Sequence, residues 1–266
     1  MLPLAANSWF CRAALRDTAI DAASFTSIRL VSGALMLWLL VKLGRNARAG
    51  AGNWPSAFAL FGYAALFSFA YLSLTAATGA LLLFGAVQVT MIGLGLGRGE
   101  RLDGAQALGV ALAFGGLVGL LLPGLSAPPL AGALLMIGAG VSWGIYSVRG
   151  KGAGDPTRVT AGNFIRTVPI AAVLSLALLN DASLDPTGVW YAVASGALTS
   201  ALGYVLWYTV VPMISSTSAA TVQLSVPVIV AIGGVVLLAE PVTLRLLLAS
   251  AAVLGGIGLV ILRKAE

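Results

Sequence analysis

Read for hydropathy alone, the chain is a succession of long apolar runs separated by short polar punctuation. An opening run covers Leu2–Leu15. Predominantly apolar stretches then follow at Ala22–Val41, Trp54–Leu74, Thr78–Leu96, Gly104–Leu122, Leu130–Val148, Val159–Leu179, Gly188–Val210, Ser218–Leu238 and Leu244–Leu262. Each later run is close to the roughly 20 residues that a helix needs to cross a bilayer. A lipid-facing backbone must satisfy its own peptide groups, so only helices or a closed barrel can span. The runs are continuous rather than alternating, which excludes the barrel. Turn residues mark the joins at Gly44–Asn53, Ala76–Ala77, Pro123–Pro129, Gly150–Asp155, Asp181–Pro186 and Pro212–Ser216. The pattern predicts an all-α polytopic membrane protein of ten transmembrane helices, with no linker long enough to separate independent domains.

The opening run departs from the rest: Pro3, Asn7 and Arg12 interrupt it, and it is short for a full crossing. Arg12 and Arg16 follow its apolar core, whereas a signal peptide carries its basic residues ahead of the core. It is expected to be a first helix that lacks its start.

Sliding the sequence by 140 positions without a gap lays residues 75–122 on 215–262, with nine identities among 48 positions. The matches include Ile92-Gly93 on Ile232-Gly233, Glu100 on Glu240, and Gly115-Gly116 on Gly255-Gly256. The ungapped register and shared punctuation carry more weight than the identities. They divide the chain into two repeats, 1–122 and 130–262, each of five helices. With an odd number of spans per repeat, the second enters the membrane inverted, a design found in many secondary transporters.

Composition narrows the function. The chain is 59% hydrophobic and 9% charged, with a mean hydropathy of +0.99, outside the range of soluble domains. The net charge of +6 follows membrane topology, so nucleic acid is not an expected partner. If the amino terminus is cytoplasmic, the cytoplasmic side holds Lys42, Arg45, Arg48, Arg98, Arg101, Arg149, Lys151, Arg158, Arg263 and Lys264, against Arg12, Arg16 and Arg245 on the other. That bias predicts a multi-pass protein of the inner (plasma) membrane with a cytoplasmic C-terminus. Cys11 is the only cysteine and there is no histidine, which removes disulfide, zinc and the commonest acid–base chemistry together. No cofactor is expected. The alternating glycines 93–99 lie on an apolar helix and lack the Gly-Lys-Ser/Thr ending of a phosphate loop.

At this point the sequence resembles the EamA-type members of the drug/metabolite transporter superfamily. The resemblance rests on Gly99-Glu100-Arg101-Leu102 before Gly115-Gly116, and on Ala239-Glu240-Pro241-Val242 before Gly255-Gly256. Ser142-Trp143, Ile28-Arg29 matched by Ile165-Arg166, and Val226-Pro227 support it. It implies a transporter, commonly an exporter, of small metabolites or amino-acid-like solutes. Members often carry a proline in the fourth helix matching that of the ninth, but Pro227 aligns with Val87, so one of the two central helices is expected to kink.

Each candidate residue has a functional and a plain reading. Glu100 and Glu240 invite a proton-carrier role, but both sit at the head of a helix, where a carboxylate satisfies orphan amides. Arg29 and Arg166 lie about two turns inside their spans. They either snorkel to the headgroups, the simpler expectation, or bind a substrate carboxylate. Gln88, and Gln223 one turn before Pro227, place amides at mid-membrane, where such transporters hold their solute; an interhelical hydrogen bond is the alternative. Trp9, Tyr71, Trp143, Tyr146, Tyr204 and Trp207 are candidates for an aromatic cavity lining, while Trp54, Trp190 and Tyr191 read as the interfacial belt. The glycine faces let helices approach, within one subunit or across a homodimer seam.

The expected activity is transport of a small organic solute by alternating access, around a site formed mainly by the third, fourth, eighth and ninth spans. No Asp or Glu lies in mid-span, so facilitation down the solute's own gradient is as open as proton antiport. The rivals are a non-transporting scaffold or sensor subunit and, lacking histidine or paired central carboxylates, a membrane-embedded enzyme.

Overall fold

Helix ends decide where this chain turns, because no water inside a bilayer can satisfy the free amides there. The structure, a computed structural model, describes all residues except 45–49, 98, 100, 101, 125, 126, 151–153, 211, 212, 214, 215 and 264–266; residues 216–222 and 263 are described by backbone only. The α-helical segments are α1 (Leu2–Asp17), α2 (Ala22–Leu43), α3 (Trp54–Tyr71), α4 (Ala76–Leu96), α5 (Gly104–Leu121), α6 (Leu130–Gly150), α7 (Pro156–Ala177), α8 (Pro186–Val193), α9 (Gly203–Val210), α10 (Ser216–Leu238) and α11 (Leu244–Arg263). A π-helical segment, Ala194–Leu202, joins α8 to α9, making Pro186–Val210 one continuous crossing. Among the described residues there is no strand, and seven helices are long and apolar enough to cross a membrane.

Polar punctuation becomes capping. Asp21, Asp103, Asp155 and Asp185 accept backbone N–H groups at the starts of α2, α5, α7 and α8, and Gln106 returns the bond to Asp103. Asn53 and Thr75 do the same for α3 and α4. Asp21 also ties the α1–α2 connection to Ser183: its Oδ2 accepts from Ser183 N at 2.9 Å and its own N–H donates to Ser183 O at 3.1 Å. Burial pushes the Asp21 carboxyl up, but bonds from Ser24, Ser183 and Ala23 outweigh it and hold the group below the usual carboxylate range.

The bundle packs by small residues at its contacts. A Cβ on Gly256 would press on the backbone of Gly109 and Ala113, and one on Gly116 would lie 2.9 Å from Ala252, so α5 and α11 meet almost backbone to backbone. Large apolar side chains point outward instead. Leu35, Phe58, Val173 and Val236 are each more than half exposed, the reverse of a soluble protein. Trp54 and Trp190, read as belt residues, are exposed, the first at the start of α3 and the second in the middle of the short α8.

Candidate functional site

A chain of polar contacts crosses the middle of the bundle, beginning at Asn7 on α1. Asn7 Nδ2 donates to Tyr63 Oη on α3 at 3.0 Å, and its Oδ1 accepts from Ser195 Oγ at 2.5 Å and Thr199 Oγ1 at 3.4 Å. Tyr63 Oη also accepts from Arg29 Nη2 at 3.2 Å, while Arg29 Nε donates to Ser200 Oγ at 3.2 Å. The three hydroxyls come from the π segment, whose wider turn presents Ser195, Thr199 and Ser200 to two neighbouring helices. Such insertions recur at functional sites.

Arg29 does not snorkel. It is 1% exposed, with its guanidinium 5.2 Å from the Tyr63 ring centroid and 5.1 Å from that of Phe67. Gly196 explains the depth, because a side chain there would collide with the carbonyl of Arg29 and the hydroxyl of Ser32. With α2 pressed onto the π segment in this way, the arginine is committed to the interior. Two groups of the cluster are left over: Arg29 Nη1 and Tyr204 Oη are buried with no hydrogen-bond partner among the described residues. The Tyr204 ring joins the cluster through Trp143, which also packs on Tyr63.

An aromatic wall closes the cluster. Trp143 stands 4.9 Å from Tyr63, 4.8 Å from Tyr204 and 5.5 Å from Tyr146, centroid to centroid. Phe67 stacks edge-on against Tyr71 at 4.7 Å, and Phe164 lies 5.9 Å from Tyr204. Of the sequence candidates, Arg29, Trp143, Tyr146, Tyr204 and Tyr71 are thus brought together. Tyr146 reaches the edge of the group, where its hydroxyl meets Asn163 Nδ2 at 3.4 Å.

The other candidates lie elsewhere. Arg166 donates from Nη1 to the carbonyls of Ala51 (2.6 Å) and Gly162 (2.8 Å), bracing the connection before α3. Trp207 is half-buried with no ring partner among the described residues. Trp9 donates from Nε1 to Val230 O at 3.0 Å and fills the notch at Gly233, so it packs α1 on α10. Gln88 on α4 and Gln223 and Pro227 on α10 are buried, and neither amide hydrogen-bonds to the Asn7–Arg29 cluster. The cluster therefore draws on α1, α2, α3, α6, α7, α9 and the π segment rather than on α4 and α10.

Glu240 is a cap, on an unexpected helix. Its Oε2 accepts from Ala76 N at 2.7 Å at the start of α4, and its Oε1 takes Arg12 Nε at 2.9 Å, with Arg16 Nη1 4.0 Å away. Arg12 Nη1 also reaches Tyr71 O at 2.9 Å and Arg16 Nη1 reaches Leu238 O at 2.7 Å. One carboxylate thus ties α1, α4 and the end of α10. Ala239 turns the chain to place it, at a positive φ of 51°. Glu100, its partner in the repeat, lies outside the described residues, as do Arg45, Arg48, Arg98, Arg101, Lys151 and Lys264.

Sequence reasoning missed Asn7, Tyr63, Ser195, Thr199 and Ser200. A signal was present: Asn7 interrupts the first apolar run, and Ser195, Thr199 and Ser200 gather three hydroxyls in the middle of a span.

Apolar helices of this length around a buried polar and aromatic centre define a multi-pass membrane protein, and its relatives say of which kind. Residues 130–262 match the EamA-like transporter family. An uncharacterised protein of Pseudomonas aeruginosa is 57% identical over 98% of this chain and 91% of its own length. An uncharacterised transporter of Archaeoglobus fulgidus is 30% identical over 87% of this chain and 84% of its own. The threonine/homoserine exporter RhtA of Salmonella typhimurium is 32% identical over 47% of this chain and 43% of its own. A crystal structure at 18% identity superposes with a TM-score of 0.66 over 99% of this chain and 95% of that one, a likeness of fold. The chain belongs to the EamA-like transporter family, within the drug/metabolite transporter superfamily.

Proposed function

We propose that the protein exports a small organic metabolite or amino-acid-like solute across the inner (plasma) membrane by alternating access, holding it at the Asn7–Arg29–Tyr63–Tyr204 cluster. The observation that carries this reading is the cluster itself: a polar, aromatic-walled centre in the middle of a bundle whose family transports small solutes. In such folds a solute binds near the midplane between two repeats. The pairing of helices supports two inverted five-helix repeats, 1–122 and 130–262: α2 packs on α7, α4 on α10, α5 on α11, and the α3–α6 contact has its counterpart between α8 and α1. The crossing Pro186–Val210 then counts as one of ten. The similarity to RhtA, a threonine/homoserine exporter, supports direction and solute size. The positive-inside distribution supports a cytoplasmic C-terminus.

The cluster is closed, since Arg29, Tyr71, Tyr204 and Phe67 are fully buried, so the solute enters by rocking of one repeat on the other. Glu240, the carboxylate deepest in the described bundle, is committed to Arg12 and Ala76, and the solute's own gradient is the driving force we favour. Deleting the gene should raise the intracellular level of a defined metabolite. Wild-type protein should restore it and Trp143→Ala should not; an unchanged metabolite profile, or full rescue by Trp143→Ala, contradicts the proposal. Acceleration of flux by an imposed pH gradient would sink the gradient-driven form.

A further inference from the structure

We infer that the cargo of this site is a small organic monoanion with an aromatic or apolar body, its carboxylate seated between Arg29 Nη1 and Tyr204 Oη. The inference rests on the transport reading above and names the class of solute for the same site. Its ground is an unbalanced charge. Arg29 is always cationic and is withdrawn from water, an expense that proteins offset with a counter-ion. Among the described residues none is provided: Glu240 is engaged by Arg12 and Arg16, Asp17 by Arg16, Asp21, Asp103, Asp155 and Asp185 cap helices, and Asp181 is exposed in the turn after α7. What faces the guanidinium is Tyr63, Phe67 and Ser200, with Tyr204 and the buried Cys11 thiol in its neighbourhood, and none of these is a carboxylate.

The donors in the cluster are also in excess. Arg29 Nε and Nη2 are used, and Nη1 is not. Tyr63 Oη already accepts from two neighbours, and Asn7 Oδ1 from two more. Tyr204 Oη, on the ring packed against Trp143, is unbonded among the described residues. Two spare donors, one of them on a cation with no carboxylate partner among the described residues, fit the two oxygens of one carboxylate, and a charge-assisted pair of this kind is among the stronger polar contacts a site can make. An ammonium group would meet the guanidinium with no carboxylate to hold it. Trp143, Phe67 and Phe164 supply a flat apolar wall for the rest of the molecule.

The test uses benzoate, benzamide and phenylalanine as probes, titrated calorimetrically into the purified full chain in detergent micelles. Benzoate should bind wild type about 100-fold more tightly than benzamide, the worth of a charge-assisted pair, and more tightly than phenylalanine. Arg29→Gln should abolish that preference, and Tyr204→Phe should weaken benzoate about tenfold. Trp143→Ala should weaken benzoate and benzamide alike. The unfolding temperature without ligand separates folding from binding: benzoate should raise it in wild type and not in Arg29→Gln, a response that an arginine serving only to hold helices together would not give. Benzamide binding as well as benzoate, with a loss in Trp143→Ala but none in Arg29→Gln, overturns the anion and leaves the site standing. Binding that none of the three variants alters, or no saturable binding of any probe, overturns both.

Discussion

Removing Glu240 should unfasten one end of the bundle, and the cost can be worked from its contacts. The carboxylate is 6% exposed, pairs with Arg12 at 2.9 Å and caps α4 through Ala76 N at 2.7 Å. Breaking a buried ion pair from one side costs about 3–5 kcal/mol, because the partner charge is left behind, and a lost cap costs about 1 kcal/mol. Glu240→Ala should therefore lose about 4–6 kcal/mol. Arg12→Ala should lose less, about 2–3 kcal/mol, since Arg16 at 4.0 Å and the α4 amide still face the carboxylate. In the double variant the stranded charge is gone, so the two losses should fall short of their sum by about 2–3 kcal/mol, the upper range of pairwise coupling. Equilibrium unfolding by SDS titration in mixed micelles measures all four corners of the cycle. Losses that add to within about 0.5 kcal/mol would show that Arg12 and Glu240 do not act as a pair, and the reasoning fails.

Other substitutions test the packing and the caps. Gly256→Ala drives a Cβ into the backbone of Gly109 and should destabilise by about 1–3 kcal/mol, whereas Gly115→Ala, whose Cβ would meet nothing within 4 Å, should change stability by less than about 0.5 kcal/mol; the same SDS titration compares them. Asp21→Ala removes the cap of α2 and the tie to Ser183, for a loss of about 1–2 kcal/mol in that titration. Because the folded protein holds Asp21 below its ordinary value, this contribution is present above the ordinary carboxylate range and is lost as pH falls through the depressed value. Wild type should accordingly lose more stability than Asp21→Asn between neutral and acidic pH, and equal losses would refute the assignment.

Much of the architecture was legible because lipid leaves few options. Runs of about 20 apolar residues had to be helices, and the turn residues between them mark the joins, where Asn53, Asp155 and Asp185 stand as helix caps. The centre was harder to read. Arg29 looked able to snorkel because sequence gives its depth along a helix but not its azimuth, and the azimuth is set by Gly196 on a distant segment. The π segment has no local signature; it follows from how Pro186–Val210 packs against α1 and α2. Glu240 was correctly read as a helix-end carboxylate, yet the helix it serves is 164 residues away, which no local rule could supply.

The central claim is that solute passes through the Arg29 cluster, and flux in proteoliposomes tests it most directly. Vesicles carrying wild type should show saturable flux of at least one member of a labelled panel of metabolites and amino acids that includes threonine and homoserine. Arg29→Gln and Trp143→Ala, each with an unchanged elution profile, should each cut that flux at least about tenfold, the loss of one strong contact in the site. Flux undiminished in both variants would contradict the account.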